Sequence, residues 1–102
     1  MGKAVREMLE HDRRLTDILN SEIRHEIPGI QTISKETQFW REGKLVAEPD
    51  GLIWDGNTLY ILEYKCSEKG LRKAQRQVET AHDYIKNDLG IFVPCEYLIK
   101  YG

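Results

Sequence analysis

The sequence predicts an α/β fold, one domain built from a mixed sheet with helices packed against it. Three observations lead there. Two stretches carry apolar residues at helical spacing, one near the N-terminus and one between residues 71 and 85. Between and after them lie runs of β-branched and aromatic residues punctuated by glycine-containing turns. The chain has 102 residues, 40% hydrophobic and 31% charged, enough for one compact core over residues 1–102 and too little for two. The predicted order is α-β-β-β-α-β.

The first helix runs from Lys3 to about Glu26. Val5, Met8, Leu9, Leu15, Ile18, Leu19 and Ile23 recur by threes and fours there, and no Gly or Pro interrupts them. Pro28-Gly29 stops it. Ile30 to Arg41, rich in Thr, Ile, Phe and Trp, reads as the first strand, and Gly43 marks a turn. Leu45 to Trp54 and Thr58 to Cys66 read as the next two strands. Asp55-Gly56-Asn57 joins them as a hairpin, because Gly and Asn tolerate positive φ. Leu71, Ala74, Val78, Ala81 and Ile85 define the second helix, closed by Asn87 to Gly90. Ile91 to Tyr101 is the final strand, with Pro94 making its start irregular. Trp40 and Trp54 are expected in the core rather than as stacking surfaces for bases.

No apolar run approaches the roughly 18 residues that span a bilayer, and the N-terminus is charged, so a soluble, cytoplasmic protein with no membrane contact is expected. Cys66 and Cys95 lack C-x-x-C spacing, which argues against zinc and for buried free thiols. A net charge of −2 gives no whole-molecule attraction to nucleic acid. Between Lys65 and Arg76, however, five cations (Lys65, Lys69, Arg72, Lys73 and Arg76) stand against one acid, Glu68. That segment can meet phosphates, although a solvated basic face is at least as common. His11, His25 and His82 share no ligand spacing, so surface or helix-packing positions are expected and no role is assigned to them.

The chemistry concentrates on the second hairpin. If Gly56-Asn57 is a two-residue turn, Asp55 opposes Thr58, Asp50 opposes Glu63 and Glu48 opposes Lys65. The two-residue side-chain period then sets Glu48, Asp50, Glu63 and Lys65 on one face, shared with Leu52, Trp54, Leu59 and Ile61. A turn centred on Asp55-Gly56 slips each partner by two and keeps the same face, whereas a three-residue loop does not. Charges on so apolar a face need a partner or an occupant. Adjacent carboxylates repel unless a cation lies between them, and Mg²⁺ is the hard, oxygen-seeking ion that fits best. A lysine beside it can position or deprotonate an attacking water, which is the equipment for phosphodiester hydrolysis. The competing reading is a solvated hairpin with an ordinary cross-strand ion pair between Glu48 and Lys65.

Pro49-Asp50, twelve residues, then Glu63-Tyr64-Lys65 on the next strand resembles the PD-(D/E)xK nuclease superfamily, and the element order is similar to its restriction-endonuclease-like αβββαβ core. The resemblance implies that Asp50 and Glu63 bind Mg²⁺ or Mn²⁺, that the Tyr64 main-chain carbonyl is a further ligand, and that Lys65 serves the nucleophilic water. It implies a metal-dependent nuclease, most simply a DNA endonuclease. A catalytically weak nucleic-acid-binding or assembly module on the same fold and an RNase are the alternatives. Lys69, Arg72, Lys73 and Arg76 would then contact the nucleic acid.

Members often add an acid from the first helix. Asp50 should face the first strand near Thr37, seven residues or roughly 23 Å from Ile30. The same distance back along the first helix reaches roughly residue 11. Asp12 is the nearest acid on the stripe, and Asp12-Arg13-Arg14-Leu15 resembles the E-x-x-L pattern of several members; a simple helix-face ion pair is the equal alternative. Glu48 is the other candidate. Lys73-Ala74-x-x-Gln77 is similar to a glutamine pattern of the family's later helix, which makes Gln77 a minor site candidate. The small size and the apolar final strand lead to an expected homodimer.

Overall fold

The computed structural model describes residues 2–102. Helix α1 (Lys3–Asp17) passes through a π-helical turn at Ile18–Glu22 into α2 (Ile23–Glu26), as one continuous run. In that turn the Ile23 N–H reaches back to the Ile18 carbonyl, and Leu15, Ile18, Leu19 and Ile23 are all buried. The N-terminal end of the stripe differs, since Val5, Met8 and Leu9 stay exposed.

The strands are β1 (Thr32–Lys35), β2 (Phe39–Arg41), β3 (Lys44–Ala47), β4 (Gly51–Trp54) and β5 (Leu59–Lys65); helix α3 (Leu71–Asn87) and strand β6 (Cys95–Tyr101) follow. The two long strands expected over residues 30–41 and 45–54 are therefore each broken in two. Both breaks fall at one level. Pro49, fully buried, has no N–H to donate to a ladder, and opposite its neighbour Asp50 the chain turns at Glu36, which adopts a left-handed φ of 54° while its N–H meets the Asp50 carbonyl at 3.1 Å. Beyond that point β2 and β3 leave the main sheet as a separate ribbon, bulged between Phe39 and Trp40. Asp50 consequently faces Glu36, one residue away from the expected Thr37.

The main sheet has the order β1-β4-β5-β6. Its first two pairings are antiparallel and β5–β6 is parallel, with α3 as the crossover. Strand β5 is buried on both faces because each is covered. Leu62 and Tyr64 join Ile53 under Leu15, Ile18, Leu19 and Ile23. On the opposite face Ile61 packs with Val78, Ala81 and Ile85 of α3.

The ribbon is fixed to the same helix. Phe39 stacks on Tyr84 with ring centroids 4.7 Å apart, the Tyr84 hydroxyl donates to the Trp40 carbonyl at 2.6 Å, and Arg41 forks onto both oxygens of Asp88 at 2.6 and 2.7 Å. Trp40 itself is 50% exposed, contrary to the core position expected of it, because it projects from a ribbon with no layer beyond it. Trp54 is half-buried. Cys66 is exposed and Cys95 half-buried, both free thiols, so the expectation of buried cysteines also fails; each sits at a strand end rather than mid-strand. Among the described residues no helix is long and apolar enough to cross a membrane.

Candidate active site

The Asp55-Gly56-Asn57 turn sets the geometry. Asp55 Oδ1 accepts the N–H groups of Asn57 and Thr58 at 2.8 and 2.6 Å, and these bonds, Thr58's first, hold its carboxyl below the usual range. Gly56 takes φ +94°, as the first central residue of a two-residue turn can when it is glycine. Trp54 then pairs with Leu59 and Gly51 with Leu62, which is the register of a Gly56-Asn57 turn.

One step further along that register stand Asp50 and Glu63. Here side chains take over the ladder from the main chain. The Asp50 N–H donates to Glu63 Oε1 at 3.2 Å, and the Tyr64 N–H donates to Asp50 Oδ2 at 2.8 Å. Gly51, the next residue, lies under the first helix, where an added Cβ would sit 2.9 Å from Cδ2 of Leu19.

Glu63 is only 2% exposed. Its carboxyl is pushed up to about 8, first by burial, then by the charge of Asp50 and a hydrogen bond with it; the Lys65 cation and the Asp50 N–H oppose the rise. Lys65 follows Glu63 by two residues and lies on the same face of β5. Its aliphatic stem runs along Gly70, where an added Cβ would sit 2.8 Å from Lys65 Cγ and 2.9 Å from Lys65 Cβ.

The Tyr64 carbonyl already has one partner, His11, whose Nε2 approaches it at 3.1 Å. The His11 and Tyr64 rings are 5.1 Å apart, and the Arg14 guanidinium lies 6.0 Å from the Tyr64 ring centre. His11 is thus the α1 residue brought to the site, and sequence reasoning passed over it. The available signal was its place four residues before Leu15 and seven before Ile18 on the buried stripe, rather than any spacing among histidines.

The other candidate acids do not join the pair. Asp12 is exposed and bonds Lys35 Nζ at 2.5 Å, while that ammonium also donates to Thr16 Oγ1 at 3.2 Å. Glu48 is exposed and accepts from Gln38 at 2.9 Å; strand pairing ends at Gly51, so Glu48 has no ladder position opposite Lys65.

Lys69, Arg72, Lys73 and Arg76 are exposed, and among the described residues none of them forms an ion pair. Lys73 and Arg76 line a cleft of about 430 Å³ between β3 and α3, together with Gln77. The Gln77 Oε1 is buried and has no hydrogen-bond partner.

Among the described residues no group of three or more His, Cys, Asp and Glu side chains is gathered as a metal cluster. What is gathered is two carboxylates and a carbonyl. Each carboxylate spends one oxygen on a main-chain N–H, and the Tyr64 carbonyl keeps a second lone pair beside the one His11 uses. Such an acceptor-rich set, with one member desolvated, fits a hard divalent ion that retains several waters.

Fold and site together define a small α/β protein in which a buried Glu63 pairs with a half-buried Asp50 beside a lysine at the end of its central strands. Comparison with protein-family models, curated proteins and solved structures gave no match for this chain.

Proposed function

We propose that this protein is a phosphodiesterase of the PD-(D/E)xK type that depends on Mg²⁺ or Mn²⁺, and that it acts as a DNA endonuclease. The observation that carries the proposal is the acid pair at the β4–β5 end, where Glu63 accepts the Asp50 N–H and Asp50 accepts the Tyr64 N–H, with Lys65 on the same strand face. The sheet order and the α3 crossover into a parallel β6 support a restriction-endonuclease-like core.

In this reading Asp50, Glu63 and the Tyr64 carbonyl hold the ion. The bound ion supplies charge neutralisation at the scissile phosphate and a more acidic water. Lys65, its stem running beside Gly70, would orient the attacking water and balance the charge that builds on the phosphate. Glu63 releases its proton when the pair takes up a cation. The exposed cations of α3 and of the turn before it hold the flanking phosphates. Asp12 and Glu48 act outside the ion's ligand set, since Lys35 and Gln38 occupy them.

The test is a panel of labelled duplex, junction, flap and single-stranded DNAs, with an RNA strand alongside, incubated with Mg²⁺ or Mn²⁺. Cleavage is expected from the wild type and its loss from an Asp50→Asn, Lys65→Ala double variant. Undiminished metal-dependent cutting by the double variant would sink the proposal, and cutting of the RNA alone would make the enzyme an RNase.

A non-hydrolytic nucleic-acid-binding or assembly module is the second reading, favoured by the pairing of both additional acids with other side chains. Calorimetry that finds no millimolar binding of either ion with DNA present selects it. We retain the homodimer as part of the proposal, because β6 is an edge strand with Tyr97 and Tyr101 exposed. A mass by light scattering that stays monomeric at every concentration, with full activity, excludes it.

A further inference from the structure

We infer that the cleft between β3 and α3 is a nucleotide subsite that takes an unpaired base of the substrate strand. The inference rests on the nucleic-acid reading above and adds to it the form of the substrate.

The cleft begins two residues from the acid pair, at Glu48, and its volume of about 430 Å³ falls within the range of small-molecule sites. One wall is apolar, formed by Leu45, Val46 and Ala47 of β3. The other is polar. Lys73, Arg76, Gln77 and Thr80 follow one another on α3 at spacings of three, one and three, so they present a single helix face.

Three properties of these walls narrow the ligand. Lys73 and Arg76 form no ion pair among the described residues, so their charge is free for an anion. Gln77 Oε1 is a buried acceptor without a donor, and it is the sole such side-chain atom among the described residues. The β3 wall has no hydrogen-bonding side chain before Glu48. A ligand that suits all three has a flat apolar body, an N–H at its edge and an attached anion, and a nucleotide has that composition.

The apolar wall also decides the strandedness. Bases in a duplex offer their edges to a protein and keep their faces stacked on each other, whereas an unpaired base exposes a face to an apolar or aromatic surface. A one-nucleotide cleft beside a phosphodiester site therefore fits a single strand. Trp40 strengthens the point. It is the cross-strand partner of Leu45, half exposed on the same ribbon, and it offers a platform for the neighbouring base.

The experiment measures binding in EDTA by fluorescence anisotropy, so that hydrolysis does not enter. The probes are a labelled 12-nucleotide single-stranded DNA, the same strand with its central nucleotides abasic, and the corresponding duplex. The proteins are wild type, Gln77→Leu, Leu45→Ser and Trp40→Ala. Leu45 and Trp40 are half exposed, and Gln77→Leu removes an unpartnered acceptor, so each variant keeps its fold, as its melting curve will verify.

The expected result is wild-type binding to the single strand about tenfold tighter than to the duplex or the abasic strand, with each substitution cutting single-strand affinity by roughly five- to tenfold and leaving duplex affinity unchanged. Equal affinity for the intact and abasic strands, or tighter binding of duplex, overturns the inference. A protein that cleaves DNA yet is indifferent to base removal keeps the nuclease and loses the subsite. One that is base-dependent in binding and never cleaves keeps the subsite and loses the hydrolytic reading.

Discussion

Replacing Glu63 with glutamine should stabilise the metal-free protein at alkaline pH. The Glu63 carboxyl is raised from 4.5 to about 8, by burial first and by the charge of Asp50 second. Between those two pH values the folded chain holds a proton that the unfolded chain has released. Stability therefore falls as pH rises through the window, at about 1.4 kcal/mol per pH unit, and the whole interval corresponds to a loss on the order of 5 kcal/mol. That is a large part of the roughly 5–15 kcal/mol that holds a domain together. Glutamine mimics the protonated acid, since it still accepts from the Asp50 N–H and carries no charge to desolvate.

The assay is urea unfolding of wild type and Glu63→Gln in EDTA at pH 5, 6.5 and 8. Near pH 5 the two midpoints should nearly coincide, and by pH 8 the variant should be the more stable by several kcal/mol with an unchanged slope. Adding Mg²⁺ at pH 8 should raise the wild-type midpoint and leave the variant where it was. Parallel pH profiles for the two proteins would refute the reasoning, because the cost would then lie outside the carboxylate.

Two further predictions concern the supports of the site. Gly70→Ala inserts a methyl group against the Lys65 stem, so cleavage should fall by as much as about 10²-fold, for a loss of stability of about 1–3 kcal/mol. Single-turnover rates alongside thermal melts will separate the two effects, and full activity in this variant would remove Gly70 from any role in placing Lys65. Ile61→Ala empties a fully buried position between β5 and α3 and should cost about 2–5 kcal/mol by chemical denaturation. A cost below about 1 kcal/mol would mean that the layer is looser than described.

Local signals in the sequence were the readable ones. That Asp50 and Glu63 share a face follows from either two-residue turn within Asp55-Gly56-Asn57, and the structure adopts the Gly56-Asn57 one, which sets them opposite each other. Both helices were equally legible, because a stripe such as Ala74, Val78, Ala81 and Ile85 is periodic whatever it packs on. What escaped was decided at a distance. The break at Glu48–Asp50 depends on Pro49 and on Glu36 meeting Asp50 across two strands, and once the ribbon departs Glu48 goes with it. Whether α1 presents Asp12 or His11 to β5 is a matter of helix rotation by about 100° per residue, finer than an estimate of length along the axis resolves. Lys35, the residue that claims Asp12, lies on a strand of its own and bears no sequence relation to it.

The two bonds that Asp50 and Glu63 accept from the main chain also bear on how the molecule comes to exist. The last rungs joining β4 to β5 are supplied by the carboxylates themselves, Asp50 holding the Tyr64 N–H and Glu63 holding the Asp50 N–H. A chain that has not zipped this corner has no assembled acid pair, so on the proposed reading the site exists only in the closed hairpin. The same economy makes alanine a poor probe at position 50, since it would strand the Tyr64 main-chain donor as well as delete the carboxylate, while asparagine keeps the rung and removes only the charge.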